Sequence, residues 1–75
     1  MKIVEIITEP VELYKILKFE ALVGSGGEAK MVIADGLVEL NGEVETQKRK
    51  KIVSGDVIKF NDEVLLIRFV PAKSG

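Results

Sequence analysis

Asn41-Gly42 constrains this chain more than any other pair of residues. An Asn-Gly pair between apolar, strand-like runs favours a type I′ turn, in which both central residues take positive φ and two antiparallel strands are joined directly. A hairpin is therefore expected, with residues 37–40 entering it and residues 43–47 returning. The rest of the 75-residue chain must fold around that hairpin. A domain of this size buries only about 60% of the surface its unfolded chain exposes, so its elements have to share one dense core. Apolar residues make up 47% of the sequence, mostly Ile, Val and Leu, which suits a folded domain and not a disordered tail.

Upstream of the hairpin the apolar residues follow helical spacing. Residues 2–7 are rich in Ile and Val and read as a strand. Thr8-Glu9-Pro10 ends it, and Pro10 suits the first turn of a helix, where its missing N–H costs nothing. Thr8 and Glu9 both remain open as the N-cap. The helix is expected to run to Phe19 or Glu20, with Leu13, Ile16, Leu17 and Ala21 on one buried face. After a connector at residues 22–24, Ser25 and Glu28 have capping-box spacing. Ala29, Val32 and Ile33 form a second apolar stripe, and Gly36 stands where a helix C′ residue takes positive φ. Two short helices packed as a pair are expected.

Downstream, the run Lys48, Arg49, Lys50 and Lys51 follows as a loop or a strand edge. Ile52-Val53 is short and apolar, and Ser54-Gly55-Asp56 and Asn61-Asp62 read as turns around strands at 57–60 and 64–70. The fold class is α+β, two short packed helices against a small, mainly antiparallel β-sheet. One domain over residues 1–70 and a flexible tail at 71–75 are expected.

Several function classes are excluded or disfavoured. There is no Cys, hence no disulfide framework and no thiolate metal site, and there is no His. The commonest general base, the thiol nucleophile and most zinc sites are thus absent, and Ser25 has no base to activate it. Glu43 with Glu45, and Asp62 with Glu63, read as solvated charges. Neither catalysis nor a cofactor is expected. Met1 to Thr8 lacks the long apolar run of a secretory signal, and no stretch is long enough to span a bilayer. A cytoplasmic protein without membrane contact is expected.

Net charge is −1, whereas nucleic-acid-binding domains are usually basic. Position matters more than the sum. Residues 1–40 hold four Lys and seven acids, residues 41–75 hold seven Lys or Arg and five acids, and four of those cations are consecutive.

The set Gly36, Val38, Leu40, Asn41, Gly42, Gly55, Asp56 and Ile58 resembles the pattern Gly-x-Val-x-Val-Asn-Gly followed by Gly-Asp-x-Ile. That is the pattern of the RNA-binding domain named after ribosomal small-subunit protein S-four, also called the alpha-L motif. The resemblance covers residues 13–60, most of the chain. Leu17 to Glu20, Ser25 to Lys30 and Asn41 to Thr46 look like the branch of small stand-alone bacterial proteins made of little else. The resemblance implies RNA binding through the second helix and the following hairpin, with Ser25, Lys30, Lys48, Arg49, Lys50 and Lys51 facing RNA. Many members carry Ser-Arg where this chain has Ser25-Gly26. Structured RNA, ribosomal RNA first, is the implied partner, in ribosome assembly or quality control, for a monomer with a ribosome-associated protein as a further partner.

The residues themselves give each contact a physical basis and an ordinary alternative. A helix N-terminus at Ser25, Gly26 and Gly27 offers free N–H donors to a phosphate, and two glycines permit close approach; the alternative is a plain capped helix, and Glu28 competes for the same donors. Lys48, Arg49, Lys50 and Lys51 can neutralise phosphates and release counterions; the alternative is a set of charges guarding a sheet edge. Lys30, a turn beyond Ser25, reaches the same patch, and Lys18 and Lys15 are weaker candidates. Of the aromatics, Phe19, Phe60 and Phe69 are assigned to the core and Tyr14 is not. Recognition of RNA shape and backbone is expected more than base-by-base reading.

Two other readings compete. The second half also resembles a β-grasp sulfur carrier, although the chain ends Lys73-Ser74-Gly75 without the reactive Gly-Gly. A protein–protein adaptor of the same fold would use Glu9, Glu12 and Glu20 as a docking face.

Overall fold

The computed structural model describes residues 1–71. Its elements are β1 (Lys2–Ile6), β2 (Val11–Glu12), α1 (Leu13–Phe19), α2 (Gly26–Ala34), β3 (Val38–Leu40), β4 (Glu43–Val44), β5 (Lys51–Ile52), β6 (Val57–Phe60) and β7 (Glu63–Phe69). Five strands form one sheet in the order β1-β7-β6-β3-β4. Only β1 with β7 is parallel; β7–β6, β6–β3 and β3–β4 are antiparallel. β2 and β5 form a separate antiparallel pair. The expected tail begins at Pro71, and its residues 72–75 lie outside the described residues.

Strand alternation sends one face of the sheet inward, with Val4, Ile6, Leu65, Ile67, Ile58, Phe60, Val38 and Leu40 buried. The helices cover that face with Leu13, Ile16 and Leu17 from α1 and Ala29 and Ile33 from α2. Ile52 of β5 is fully buried beside them. Burying a side chain of this kind contributes about 1.5–3 kcal/mol, so these residues supply most of the fold's driving force.

The start of α1 differs from the expectation. Pro10 does not open the helix, and neither Thr8 nor Glu9 caps it. Residues 11 and 12 instead pair with β5, and Leu13 is the first helical residue. Glu12 stands at the N-cap without a side-chain cap. The donors of the first turn are satisfied by backbone: Leu13 N–H donates to the Lys50 carbonyl at 2.9 Å and Tyr14 N–H to the Lys48 carbonyl at 3.1 Å. The Glu9 carboxylate accepts from the Ser54 N–H at 2.6 Å, pinning the turn after β1 to the turn after β5.

Both helices end in the same way. Around α2, Gly36 takes φ 77° while Gly36 N–H donates to Ile33 and Leu37 N–H to Val32, the two bonds of a Schellman motif. Around α1 the pair is Ala21 N–H to Lys18 and Leu22 N–H to Leu17, with Ala21 at φ 57°. Ala21 is therefore exposed and not on the buried face, and Leu22 packs against the core in its stead.

Asn41 and Gly42 take φ 53° and 87°, as a type I′ turn requires. The Asn41 side chain also reaches the turn before β6. Its Nδ2 donates to Asp56 Oδ1 at 3.0 Å, and its Oδ1 accepts from Val57 N–H at 2.8 Å. Asp56 Oδ2 in turn accepts from Val53 N–H at 2.9 Å. Gly55, at φ 94°, lets this turn close and donates to the Ile67 carbonyl. The paired motifs thus fasten the hairpin to the centre of the sheet. The returning strand is shorter than expected, because Glu45 accepts from Gln47 N–H at 3.0 Å and turns the chain into the basic run.

Candidate nucleic-acid interface

Tyr14 is where the predicted site residues meet. The run from Lys48 crosses the N-terminus of α1, held by the carbonyls of Lys48 and Lys50. Lys50 N–H closes back on the Gln47 carbonyl at 3.2 Å, which puts Lys48 and Arg49 at the tip of a turn. Lys48, Arg49 and Lys51 are exposed and Lys50 is half-buried. From α2, the Lys30 ammonium lies 4.7 Å from the Tyr14 ring centroid, a cation–π distance. Lys15 lies at 5.9 Å from the same centroid. A Cβ built at Gly26 would stand 3.9 Å from Tyr14 Cε2 and 4.0 Å from Lys18 Cδ. Gly26 and Lys30 therefore flank one ring, Lys18 lies beside Gly26, and the backbone of Tyr14 carries the basic run.

The N-terminus of α2 is capped as its spacing predicts, with one change. Glu28 N–H donates to Ser25 Oγ at 3.1 Å, while Glu28 Oε1 accepts from Gly24 N–H at 2.6 Å, one residue ahead of the N-cap. Gly26 and Gly27 N–H, in the first turn, have no acceptor among the described residues. Ser25 Oγ is engaged within the protein, so the backbone of Gly26 and Gly27 is the part of this terminus left for a ligand.

The ion pairs among the described residues are Lys2 with Glu20 at 2.8 Å and Lys15 with Glu12 at 3.3 Å. Lys18, Lys30, Lys48, Arg49, Lys50 and Lys51 have no carboxylate at ion-pair distance among those residues. Lys18, Lys48, Arg49 and Lys51 are exposed and Lys30 and Lys50 half-buried, and cations free of an ion pair are what phosphate binding requires. The run does not act as one block, however. Lys50 and Lys51 also line a shallow groove with Glu43, Glu45, Asn41 and Asp56, whereas Lys48 and Arg49 do not.

The sequence assigns Phe19, Phe60 and Phe69 to the core, but only Phe60 is buried; Phe19 follows the last buried turn of α1 and Phe69 ends β7, and both are exposed. Tyr14, which the sequence sets apart from them, has no place in the expected site. The available signal was a single tyrosine on a helix, next to Lys15 and four positions before Lys18.

The family model of the S4 domain matches residues 4–68, and the chain belongs to that family. Its relatives include YbcJ of Escherichia coli (strain K12), 50% identical over 50 residues that make up 67% of this chain and 71% of YbcJ. YbcJ of Shigella flexneri matches to the same extent. The solution structure of E. coli YbcJ, which reveals an alpha-L motif involved in RNA binding, superposes with TM-score 0.69 at 39% identity, over 91% of this chain and 87% of that one. The 30S ribosomal protein S4e of Thermoplasma acidophilum superposes with TM-score 0.63 at 29% identity, over 76% of this chain and 30% of the ribosomal protein. The fold is that of the alpha-L motif. It departs from the β-grasp order, since both helices precede the Asn41-Gly42 hairpin. No helix among the described residues is long and apolar enough to cross a membrane.

Proposed function

We propose that this chain is an RNA-binding module that docks structured RNA by charge and shape and carries out no catalysis. Ribosomal RNA, during assembly or quality control of the ribosome in the cytoplasm, is the target in this reading, with a ribosome-associated protein as an additional partner. The contact surface comprises Lys48, Arg49, Lys50 and Lys51, Lys30 and Lys18, and the N-terminus of α2 at Ser25, Gly26 and Gly27. The observation that carries the reading is that Lys30 lies over the Tyr14 ring, with Gly26 at the ring's edge and Lys18 beside Gly26, while the backbone of the basic run caps the same residue. Membership of the S4 domain family and the likeness to the RNA-binding motif of YbcJ support it.

The test is fluorescence anisotropy with a labelled, structured ribosomal RNA fragment across a salt series. The wild type is compared with a variant in which Lys48, Arg49, Lys50 and Lys51 are neutral. If all four engage single-stranded phosphates, their removal flattens the log–log salt slope by about 3. A wild type that stays folded yet fails to bind at low salt refutes the reading and shifts attention to a protein partner.

A further inference from the structure

We propose that Tyr14 is a stacking platform for one unpaired nucleobase, so that the module prefers RNA with a bulged or looped-out nucleotide over a uniform duplex. This rests on the RNA-binding reading above and adds the class of RNA that the surface selects.

Three observations point to it. Tyr14 is half-buried, packed against the core on one side and open on another, unlike the buried Phe60. Among the described residues it is the aromatic ring with ammonium groups over it, from Lys30 and Lys15. The residue beside its Cδ2–Cε2 edge is Gly26, where a Cβ would already touch the ring, so glycine keeps side-chain bulk off that edge. A ring whose only task was to fill the core would need neither the small neighbour nor the ammonium groups over it.

The chemistry is an exchange. In the free protein the Lys30 ammonium rests on the ring, a weak contact at a site partly open to water. An ammonium–phosphate pair is the stronger, charge-assisted contact. When RNA arrives, Lys30 turns to the backbone phosphate beside the extruded nucleotide. The vacated π-face then takes the base, whose stacking replaces the lost cation–π contact. Every base has a π-face, so the selection is for an unstacked nucleotide and not for a particular base. A continuous A-form duplex keeps its bases stacked inside and offers Tyr14 nothing but backbone.

The test compares a fully paired RNA duplex with the same duplex carrying one bulged adenosine, by anisotropy with the full chain. The wild type is expected to bind the bulged duplex about fivefold tighter or more. Tyr14 is the chain's single tyrosine, so its ring proton resonances are unambiguous; they should move upfield with the bulged duplex alone. Tyr14→Leu should bind both duplexes equally, while Tyr14→Trp, with a larger platform, should keep or widen the preference. If Tyr14→Leu does not fold, the tryptophan variant and the wild-type ring resonances decide. Equal wild-type affinities with an unmoved ring overturn the stacking inference and leave the RNA reading standing. Binding to neither duplex at low salt overturns both.

Discussion

Asn41 Nδ2 donates to Asp56 Oδ1 at 3.0 Å, joining two turns that lie 15 positions apart in the chain. The same carboxylate accepts from Val53 N–H, and the same amide accepts from Val57 N–H. Asn41 is thus chosen twice, for its tolerance of φ 53° and for an amide that donates and accepts at once. Asp56→Ala removes two hydrogen bonds to a charged acceptor, each worth about 1.5–3 kcal/mol when fully protected and less here because the site is partly open to water. The expected loss is about 2 kcal/mol in urea unfolding. RNA affinity of the folded fraction should not fall, because Asp56 belongs to the frame and the charge it loses lies in the groove that Lys50 and Lys51 line.

The two helix ends offer a matched pair of substitutions. Gly36 and Ala21 occupy the same C′ position, at φ 77° and 57°. A Cβ at Gly36 would meet only Val44 Cγ1, at an ordinary 3.6 Å, so Gly36→Ala tests backbone strain and little else. That strain costs about 1–2 kcal/mol. Ala21→Gly should do the reverse and stabilise the protein by about 0.5–1 kcal/mol, since relief of strain is offset in part by the greater freedom of glycine in the unfolded chain. Thermal melts of both variants against the wild type check the opposite signs.

That pair also marks where the sequence stops being legible. Gly36 announces its helix end because glycine is the residue positive φ calls for. Ala21 hides its own, because alanine is the best helix former and nothing local shows that the chain turns left-handed there. The core stripes, the Asn41-Gly42 turn and the Ser25 cap were readable because each depends on residues within four positions of one another. The start of α1 was not. Its first donors are capped by carbonyls of Lys48 and Lys50, more than 30 positions away, and no local pattern encodes that. The same long-range contact delivers the basic run to Tyr14. The candidate cations could therefore be named from the sequence, but the residue whose ring Lys30 covers and whose N–H the run caps could not.

Lys2 and Glu20 pair at 2.8 Å and tie the start of β1 to the C-cap of α1. The hydrogen bond to Glu20, and then its charge, raise the Lys2 pKa above 10.5. A lysine whose pKa is raised on folding contributes its stability below the unfolded value and loses it as pH rises through the folded one. The advantage of the wild type over Lys2→Met should hold through neutral and mildly alkaline pH and vanish above 10.5. Denaturant midpoints of the two proteins along an alkaline series test this; a gap that persists after Lys2 is deprotonated would mean that the lysine stem, and not its charge, holds the strand.

Gly26 is the position where a single substitution should strengthen the proposed RNA interface. A side chain there starts in ordinary contact with the Tyr14 ring and the Lys18 stem, so an arginine has room without displacing backbone. Its guanidinium would join Lys18 and Lys30, and arginine also favours the helix over glycine by roughly 0.5–1 kcal/mol. Gly26→Arg should raise affinity for the ribosomal RNA fragment several-fold at low salt and steepen the log–log salt slope by about 0.7–0.9 for one added phosphate contact. The same side chain would put bulk on the edge of Tyr14 that glycine keeps clear. If the ring takes an unpaired base, the gain should therefore be larger for a fully paired duplex than for its bulged counterpart. Anisotropy on both RNAs reads the two effects together. An unchanged salt slope would place the first turn of α2 away from phosphate, and an equal gain on both RNAs would separate the arginine's charge from any effect on stacking.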